Sequence, residues 1–392
     1  MTGQHPDKKS EKTRILPDGW RWVRLGEVIN QSQTGFACGE RDSNGIVQLR
    51  MNNVDTRGNF VWNEFLRVPA DQDKISKYRL SKGDILFNNT NSTELVGKSA
   101  LFQGHTETVV YSNHFTRLRV NQDQLEPSYL ASWLVLQWTD KVFENLCNRW
   151  IGQSAVKNGK LLSLQIPLPP LPEQKRIAEI LNEQTEAIEK ARKATEAQLE
   201  AAKSLPAVYL GAVFNSPEVR QWPKKKFEEV AILQRGYDLP SQNQILGKFP
   251  IMTSSGISGY HNECKGTPPG VITGRSGSIG KVYFVEEDYW PHNTALYVKD
   301  FKDNEPKYIF YLLQWLDLKT ICSGSGVPTL DRKEVHKVIV HHPEKAIQQR
   351  IAIELSEQMA STEKLRQSLE SQLAAINALP AVLLRRAFSG EL

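Results

Sequence analysis

The stretch nearest to a catalytic motif is "ELVGKS" at positions 94–99. A phosphate-cradling loop needs a glycine five residues before Gly97, so that backbone N–H groups can close around the anion, and that position holds Ser92. His341 and His342 are adjacent, but no cysteine or carboxylate cluster joins them into a metal set, and neighbouring histidines at a strand end are ordinarily solvated. The patterns GxGxxG, HExxH and GxSxG are absent. Cys38, Cys147, Cys264 and Cys322 lie far apart with no CxxC pair, which argues against structural zinc and a disulfide framework and fits a reducing cytosol. Carboxylates abound, yet none sits in a recognisable acid–base frame. The chain reads as a recogniser, not a catalyst.

The residues left to do chemistry are polar ones in loops, above all "NNTNST" (88–93) and "TGRSGSIG" (273–280). The elements around them alternate short β-like runs with turn signals. In the first half these are "GIVQLR", "GDILFNN", "SALFQ", "TVVYS" and "FTRLRV"; in the second, "FPIMTSSG", "GVITG", "KVYFVEE" and "ALYVK". Each half also has one apolar helical stretch, 129–146 and 308–321, so each is expected to be a mixed α+β domain.

The halves are copies. Sliding the chain on itself by 174 residues lays "RIAEILNEQ" (176–184) on "RIAIELSEQ" (350–358), and "LPAVYLGAVF" (205–214) on "LPAVLLRRAF" (379–388). Upstream the likeness survives in fragments with drifting offsets: "GKSALF" (97–102) answers "GKVYFV" (280–285), and "EPSYL" (126–130) answers "EPKYI" (305–309). Such a repeat means globular unit, long helix, globular unit, long helix. The first helix is expected from Pro172 to about 204, since Pro suits the first helical position and Ala, Glu, Lys, Gln and Leu dominate the residues after it. Its copy runs from about 343 to 378. Apolar steps of four and three mark a seam through Ile177, Leu181, Ile188 and Leu199, and through Ile351, Leu355, Leu365, Leu369 and Leu373. One stripe per helix calls for a partner, and an antiparallel pairing of the two gives internal pseudo-twofold symmetry. About 33 residues at ~1.5 Å each make a rod of roughly 50 Å. Leu205-Pro206 and Leu379-Pro380 are expected to break each rod and start a short helix. The proline run at 167–172 is expected to fix the angle at which a globular unit leaves the rod.

The fold class is therefore α+β, with two mixed α/β domains separated by two long antiparallel coiled-coil helices. The expected divisions are 1–165 (1–16 a polar tail), 166–216, 217–340 and 341–392. Composition is that of an ordinary globular chain, 40% apolar and 24% charged, and the net charge of +5 leans only weakly toward an anionic partner. The first residues have no apolar run of a secretory signal, and the most apolar window, 129–138, is too short to span a bilayer. A cytoplasmic protein is expected.

Taken together, "PLPPLPEQKRIAEIL", its weaker copy "HHPEKAIQQRIAIEL", "LSKGDILF" with "GKSALF", "TSSGISGY", "GRSGSIGK" and the closing "RRAFSGEL" resemble the specificity subunits of type I restriction–modification systems over nearly the whole chain. The resemblance implies that each globular unit is a target recognition domain reading one half of a bipartite double-stranded DNA target. It implies that the paired helices act as spacer and as docking surface for two methyltransferase subunits, and through them for two translocase–nuclease (restriction) subunits. The chain itself would be non-catalytic and bind no cofactor. S-adenosylmethionine, ATP and Mg would belong to the partners. A coiled-coil scaffold joining two domains without DNA specificity is the competing reading.

Base reading favours Arg for guanine and Asn or Gln for adenine. On that basis the first unit offers Arg50, Asn52, Asn53, Asn88, Asn89 and Asn91, with Lys98 toward phosphate and Gln153 and Ser154 in the loop before the long helix. The second offers Thr253, Ser254, Ser255, Arg275, Ser276, His292 and Asn293, with Lys281 toward phosphate and Ser323 and Ser325 in the corresponding loop. The competing reading for any loop Asn or Ser is turn-making through its own side-chain bonds to backbone.

Overall fold

The computed structural model describes residues 16–69, 71–322 and 329–392. By packing the chain falls into two compact units, Met1–Ala194 with Leu373–Leu392, and Thr195–Gln372. Among the described residues both carry the same three sheets, and the first unit adds a small one of Asn148–Trp150, Gln153–Ala155 and Thr90–Asn91. In the first unit a four-stranded sheet runs Ile29–Thr34, Phe115–Val120, Ile85–Asn88, Ser99–Leu101; in the second it runs Ile232–Arg235, Ala295–Asp300, Gly270–Gly274, Val282–Val285. All pairings within these two sheets are antiparallel. Ile85–Asn88 and Gly270–Gly274 are interior strands with every residue buried, as continuous apolar runs flanked by turn residues should be.

A three-stranded sheet comes next in each unit, Leu66–Val68, Ile46–Leu49, Val109–Tyr111 and Gly256–His261, Phe249–Thr253, Trp290–Pro291, with one parallel pairing in both. Two-stranded closures, Arg21–Arg24 with Gln165–Leu168 and Lys224–Lys226 with Ile339–His341, bring the start of each unit to its end. Helices Pro127–Thr139 and Pro306–Trp315 cover the main sheets where the apolar stretches place them. The mixed α/β class and the internal repeat both hold.

The long helices are Leu171–Phe214 and Lys345–Ser389, 44 and 45 residues. Neither breaks at its internal proline, Pro206 or Pro380, contrary to expectation. An interior proline costs about 3 kcal/mol, but the turns beyond it are anchored. In the first unit Leu384, Ala387 and Phe388 share a core with Ile177 and Leu181; in the second, Leu210 and Phe214 share one with Ile351 and Leu355. Burying two large apolar side chains past each proline offsets that cost at ~1.5–3 kcal/mol each. In each unit the start of one helix lies with the end of the other, so the pair is antiparallel. The seam is narrower than the four–three reading. One heptad row, Leu355, Thr362, Leu369 and Ile376, is buried, and so are Leu181, Thr195, Leu199 and Ala202 on the other helix. Leu365 is instead 45% exposed, and Ile188 and Leu373 are half-buried. A two-helix pair covers only one side of each helix, and outside that row Ile177, Leu199 and Ile351 are buried but Leu365 is not.

The junctions are held by a glutamine. Gln174 is fully buried: its Oε1 accepts the Glu126 N–H at 2.9 Å and its Nε2 donates to the carbonyls of Gln124 and Pro169, both at 2.9 Å. Gln348, its copy 174 residues on, accepts the Glu305 N–H at 3.0 Å and donates to Asn304 Oδ1 and the Pro343 carbonyl, both at 2.9 Å. The second junction has lost most of its prolines and keeps this lock, so the glutamine ties each helix to the domain before it.

His342 is buried against Tyr308 and Gln348, not solvated as expected of a histidine pair. It lies in a strand–helix corner whose backbone is tied to Pro223. Burial, with Lys225 adding repulsion, pushes its pKa down to about 4. A folded value below the unfolded one, about 6.5, means its contribution is complete above that pH and is lost as pH falls toward 4. The melting temperature of the second unit is expected to drop over that window, and less steeply in His342→Gln, as read by calorimetry at stepped pH. Among the described residues no His, Cys, Asp or Glu group could hold a metal ion, and no helix is long and apolar enough to cross a membrane.

Candidate nucleic-acid interface

In both units the loops at one edge of the main sheet are stitched together by backbone hydrogen bonds. In the first, Phe36 N–H donates to Tyr111 O, Ser112 N–H to Leu49 O, Asn89 N–H to His114 O, and Val156 N–H to Asn89 O. These bonds gather segments 34–36, 50–53, 88–93, 112–114 and 148–156. In the second, Tyr237 N–H donates to Pro291 O, His292 N–H to Met252 O, Arg275 N–H to Thr294 O, and Leu330 N–H to Arg275 O. Phe36 bridges to Ser112 as Tyr237 bridges to His292, so the two rims are copies. Gly35 and Gly236 make this approach possible, since a Cβ on either would lie 2.3 or 2.1 Å from a carbonyl oxygen of the facing loop.

Several candidates from the sequence prove to hold the rim together. Asn53 is buried; its amide donates to the Val61 and Glu64 carbonyls and its Oδ1 accepts the Arg50 N–H. Asn88 is fully buried and donates to the carbonyls of Thr90 and His114, and Asn91 donates to Asn88 Oδ1 while accepting the Ser92 N–H. Asn89 bonds Asn113 O and Thr116 Oγ1. The turn-making reading thus accounts for "NNTNST". Ser154 is buried against Thr93 Oγ1 at 2.7 Å, and Ser254 is buried too.

Lys98 corrects a further expectation. Its ammonium is buried and donates to the Met51 and Val54 carbonyls, with its pKa lowered by desolvation and partly restored by Asp55. It cannot reach a phosphate. Its counterpart Lys281 is exposed. The preceding Gly97, at φ +91°, lies against the Phe143 ring, where a Cβ would come within 2.4 Å. The glycine of "VGKS" is a packing glycine, not a phosphate cradle.

What the rims leave accessible is Arg50, Asn52 and Gln153 in the first unit, joined by Asn113 and Arg149, which composition alone did not single out. In the second it is Ser255, Arg275, Ser276, Lys281, His292 and Asn293. Thr253 Oγ1 is engaged with the Gly256 carbonyl at 2.8 Å, Arg275 reaches the Asn293 carbonyl at 3.3 Å, and Asn293 bonds Asp238. His292 Nδ1 lies 3.0 Å from Thr294 Oγ1. Burial lowers the pKa of both rim histidines, with Arg50 adding to the effect at His114 and Asp238 opposing it at His292, so both rims present neutral imidazole near pH 7. Ser323 and Ser325 lie outside the described residues.

A fold of this kind, two copies of one loop-presenting domain each built on the long helices, defines a tandem-repeat protein. A family model for the type I restriction modification DNA specificity domain matches residues 17–200 and again 219–373, and the chain belongs to that family. It is 28% identical over 293 residues to the putative type I restriction enzyme MjaX specificity subunit of Methanocaldococcus jannaschii, covering 71% of this chain and 65% of that protein. It is 24% identical over 207 residues to the type I restriction enzyme StySPI specificity subunit of Salmonella potsdam, covering 52% and 44%. The matched segments span less than two thirds of these relatives. In fold it is similar to the HsdS subunit from Thermoanaerobacter tengcongensis, with TM-score 0.66 and 21% identity over 97% of this chain and all of that one. A chain solved in work on assembly and conformational transition of the type I R-M system gives TM-score 0.76 and 21% identity over 96% of this chain and all of that one.

Proposed function

We propose that this chain is the non-catalytic DNA-specificity subunit of a type I restriction–modification complex in the cytoplasm. Each rim reads one half of a bipartite duplex target, and the helix pair sets the spacing and docks two methyltransferase subunits, which in turn carry two restriction subunits. Adenine methylation with S-adenosylmethionine, and ATP- and Mg-dependent translocation and cutting, belong to those partners. The observation that carries this reading is the separate match of both copies to the DNA specificity domain. The accessible rim side chains agree with it: Arg50, Asn52 and Gln153 on one, Arg275 and Asn293 on the other, are types that can pair with base edges. A net charge of +5 is small for gripping many phosphates, so the partners supply much of the electrostatic attraction.

Replacing 221–340 with the matching segment of another such subunit tests it. The new complex should keep one half of its methylated target and change the other, as read by methylation-sensitive sequencing. A change in both halves, or in neither, removes modular reading and favours a scaffold that joins two domains without DNA specificity.

The two lysines give a finer expectation. Lys98→Met should destabilise the first unit by about 1–3 kcal/mol through two orphaned carbonyls, and leave the salt dependence of DNA binding unchanged. Lys281→Met should leave stability unchanged and lower the salt slope by about one. Urea titration and filter binding across a salt series separate the two.

A further inference from the structure

In the first unit the strands Asn148–Trp150 and Gln153–Ala155 form a hairpin closed by the two residues Ile151 and Gly152, the latter at φ +77°. Its tip is apolar and bare: Trp150 is 59% exposed and Ile151 wholly so. Two large apolar side chains side by side in water forgo a few kcal/mol of burial. The tip is not loose. Trp150 pairs with Gln153, Ser154 pairs with Asn91 and Ala155 with Thr90, Ser154 Oγ meets Thr93 Oγ1, and Val156 N–H meets the Asn89 carbonyl. The hairpin thus joins Thr90–Asn91 in a three-stranded sheet on the loop cluster that forms the rim.

We propose that this hairpin is a wedge, which inserts Trp150 and Ile151 between stacked base pairs of duplex DNA at the half-site facing the first unit. The inference rests on the DNA-reading function given above and adds a distortion step to it. Apolar side chains that enter a base step unstack it and kink the duplex by roughly 20–90°, and Trp has the flat face to replace the lost stacking. The surrounding charge favours a polyanion. Arg149, Lys157 and Lys160 are exposed beside the tip, against the acidic Glu94 and Glu144. A protein partner is a poorer fit, since a stable protein interface takes about 800 Å² from each side and a two-residue tip offers far less. In the second copy the sequence between Cys322 and Thr329 is "SGSGVP", with no aromatic residue. The wedge therefore acts on one half-site only.

The test uses the full chain in complex with methyltransferase subunits. Selection from a pool of random 40-base-pair duplexes gives the bound consensus, and gel mobility of that consensus placed at successive positions in a longer fragment locates and sizes any bend. The wild-type complex should bend the duplex within one half-site. Trp150→Ala/Ile151→Ala, a change confined to exposed positions, should select the same consensus with at least tenfold weaker affinity and lose that bend, while Trp150→Phe should keep most of it. An identical bend in the double variant overturns the wedge and leaves DNA reading standing. Failure of the wild-type complex to enrich any sequence overturns the DNA reading and the wedge with it. Loss of methyltransferase from the double variant assigns the tip to protein docking and also overturns the wedge.

Discussion

A chain carrying Leu384→Ala and Phe388→Ala loses most of the stability of its N-terminal unit, although both residues lie at the opposite end of the chain from the sheets they cover. Phe388 packs on Tyr129 with ring centroids 4.9 Å apart, and Leu384 joins the same core as Ile177 and Leu181. Arg385 pairs with Asp140 at 2.7 Å, and Arg176 donates to the Leu392 carbonyl at 2.6 Å. The exposed ion pair adds little; the apolar burial dominates. Removing each side chain costs about 2–5 kcal/mol, against a domain stability of order 5–15. Urea denaturation followed by tryptophan fluorescence should show a transition at markedly lower denaturant for the first unit, 16–194 with 373–392, with the transition of 195–372 unmoved. Coincident shifts of both transitions would mean that the two units unfold as one.

Lengthening both long helices by one heptad is the second large effect. Seven residues inserted in each, between the buried rows near 188 and 376, keep the seam in register, because the buried positions recur every seven residues along Leu355, Thr362, Leu369 and Ile376. The pair grows by ~10 Å. If it sets the distance between the two readers, the preferred spacer between half-sites should lengthen by about three base pairs, at ~3.4 Å each. Three base pairs also turn the duplex by roughly 100°, so affinity should fall by tenfold or more even at the new optimum. Methylation of a target series with stepped spacers reads both. An unchanged spacer would show that the helices do not measure the target. Insertion into one helix alone should abolish assembly, since an antiparallel pair cannot absorb a one-sided heptad without displacing Leu384 and Phe388 from their core.

The parts of the fold legible in the sequence were those written twice. The 174-residue offset placed the long helices, and continuous apolar runs placed the interior strands. The edge strands Ile29–Thr34 and Ile232–Arg235 were missed because they are half polar and owe their conformation to the neighbour they pair with. The helices were cut short at Pro206 and Pro380 because local propensity carries no information about Phe214 or Phe388 being buried beyond them. At the rims, residue type was a poor guide. Asn88 and Asn53 have the right chemistry for a base edge and use it on nearby carbonyls. Lys98 and Lys281 come after the same glycine, yet one is enclosed and the other open. Trp150 and Ile151 carried a signal that was available: two bulky apolar residues beside a glycine, in a polar loop, have no core to enter.

The buried glutamines at the foot of each helix bear on how readily one domain could be exchanged for another. Each behaves as a socket that accepts a domain through a main-chain N–H, from Glu126 or Glu305, which any replacement can supply. The third contact differs: the first socket takes the Gln124 carbonyl, the second the side chain of Asn304, which also braces Val230. A graft into the first position is therefore tolerant of sequence at this joint. A graft into the second keeps its third contact only if it brings a side-chain acceptor at the residue before Glu305.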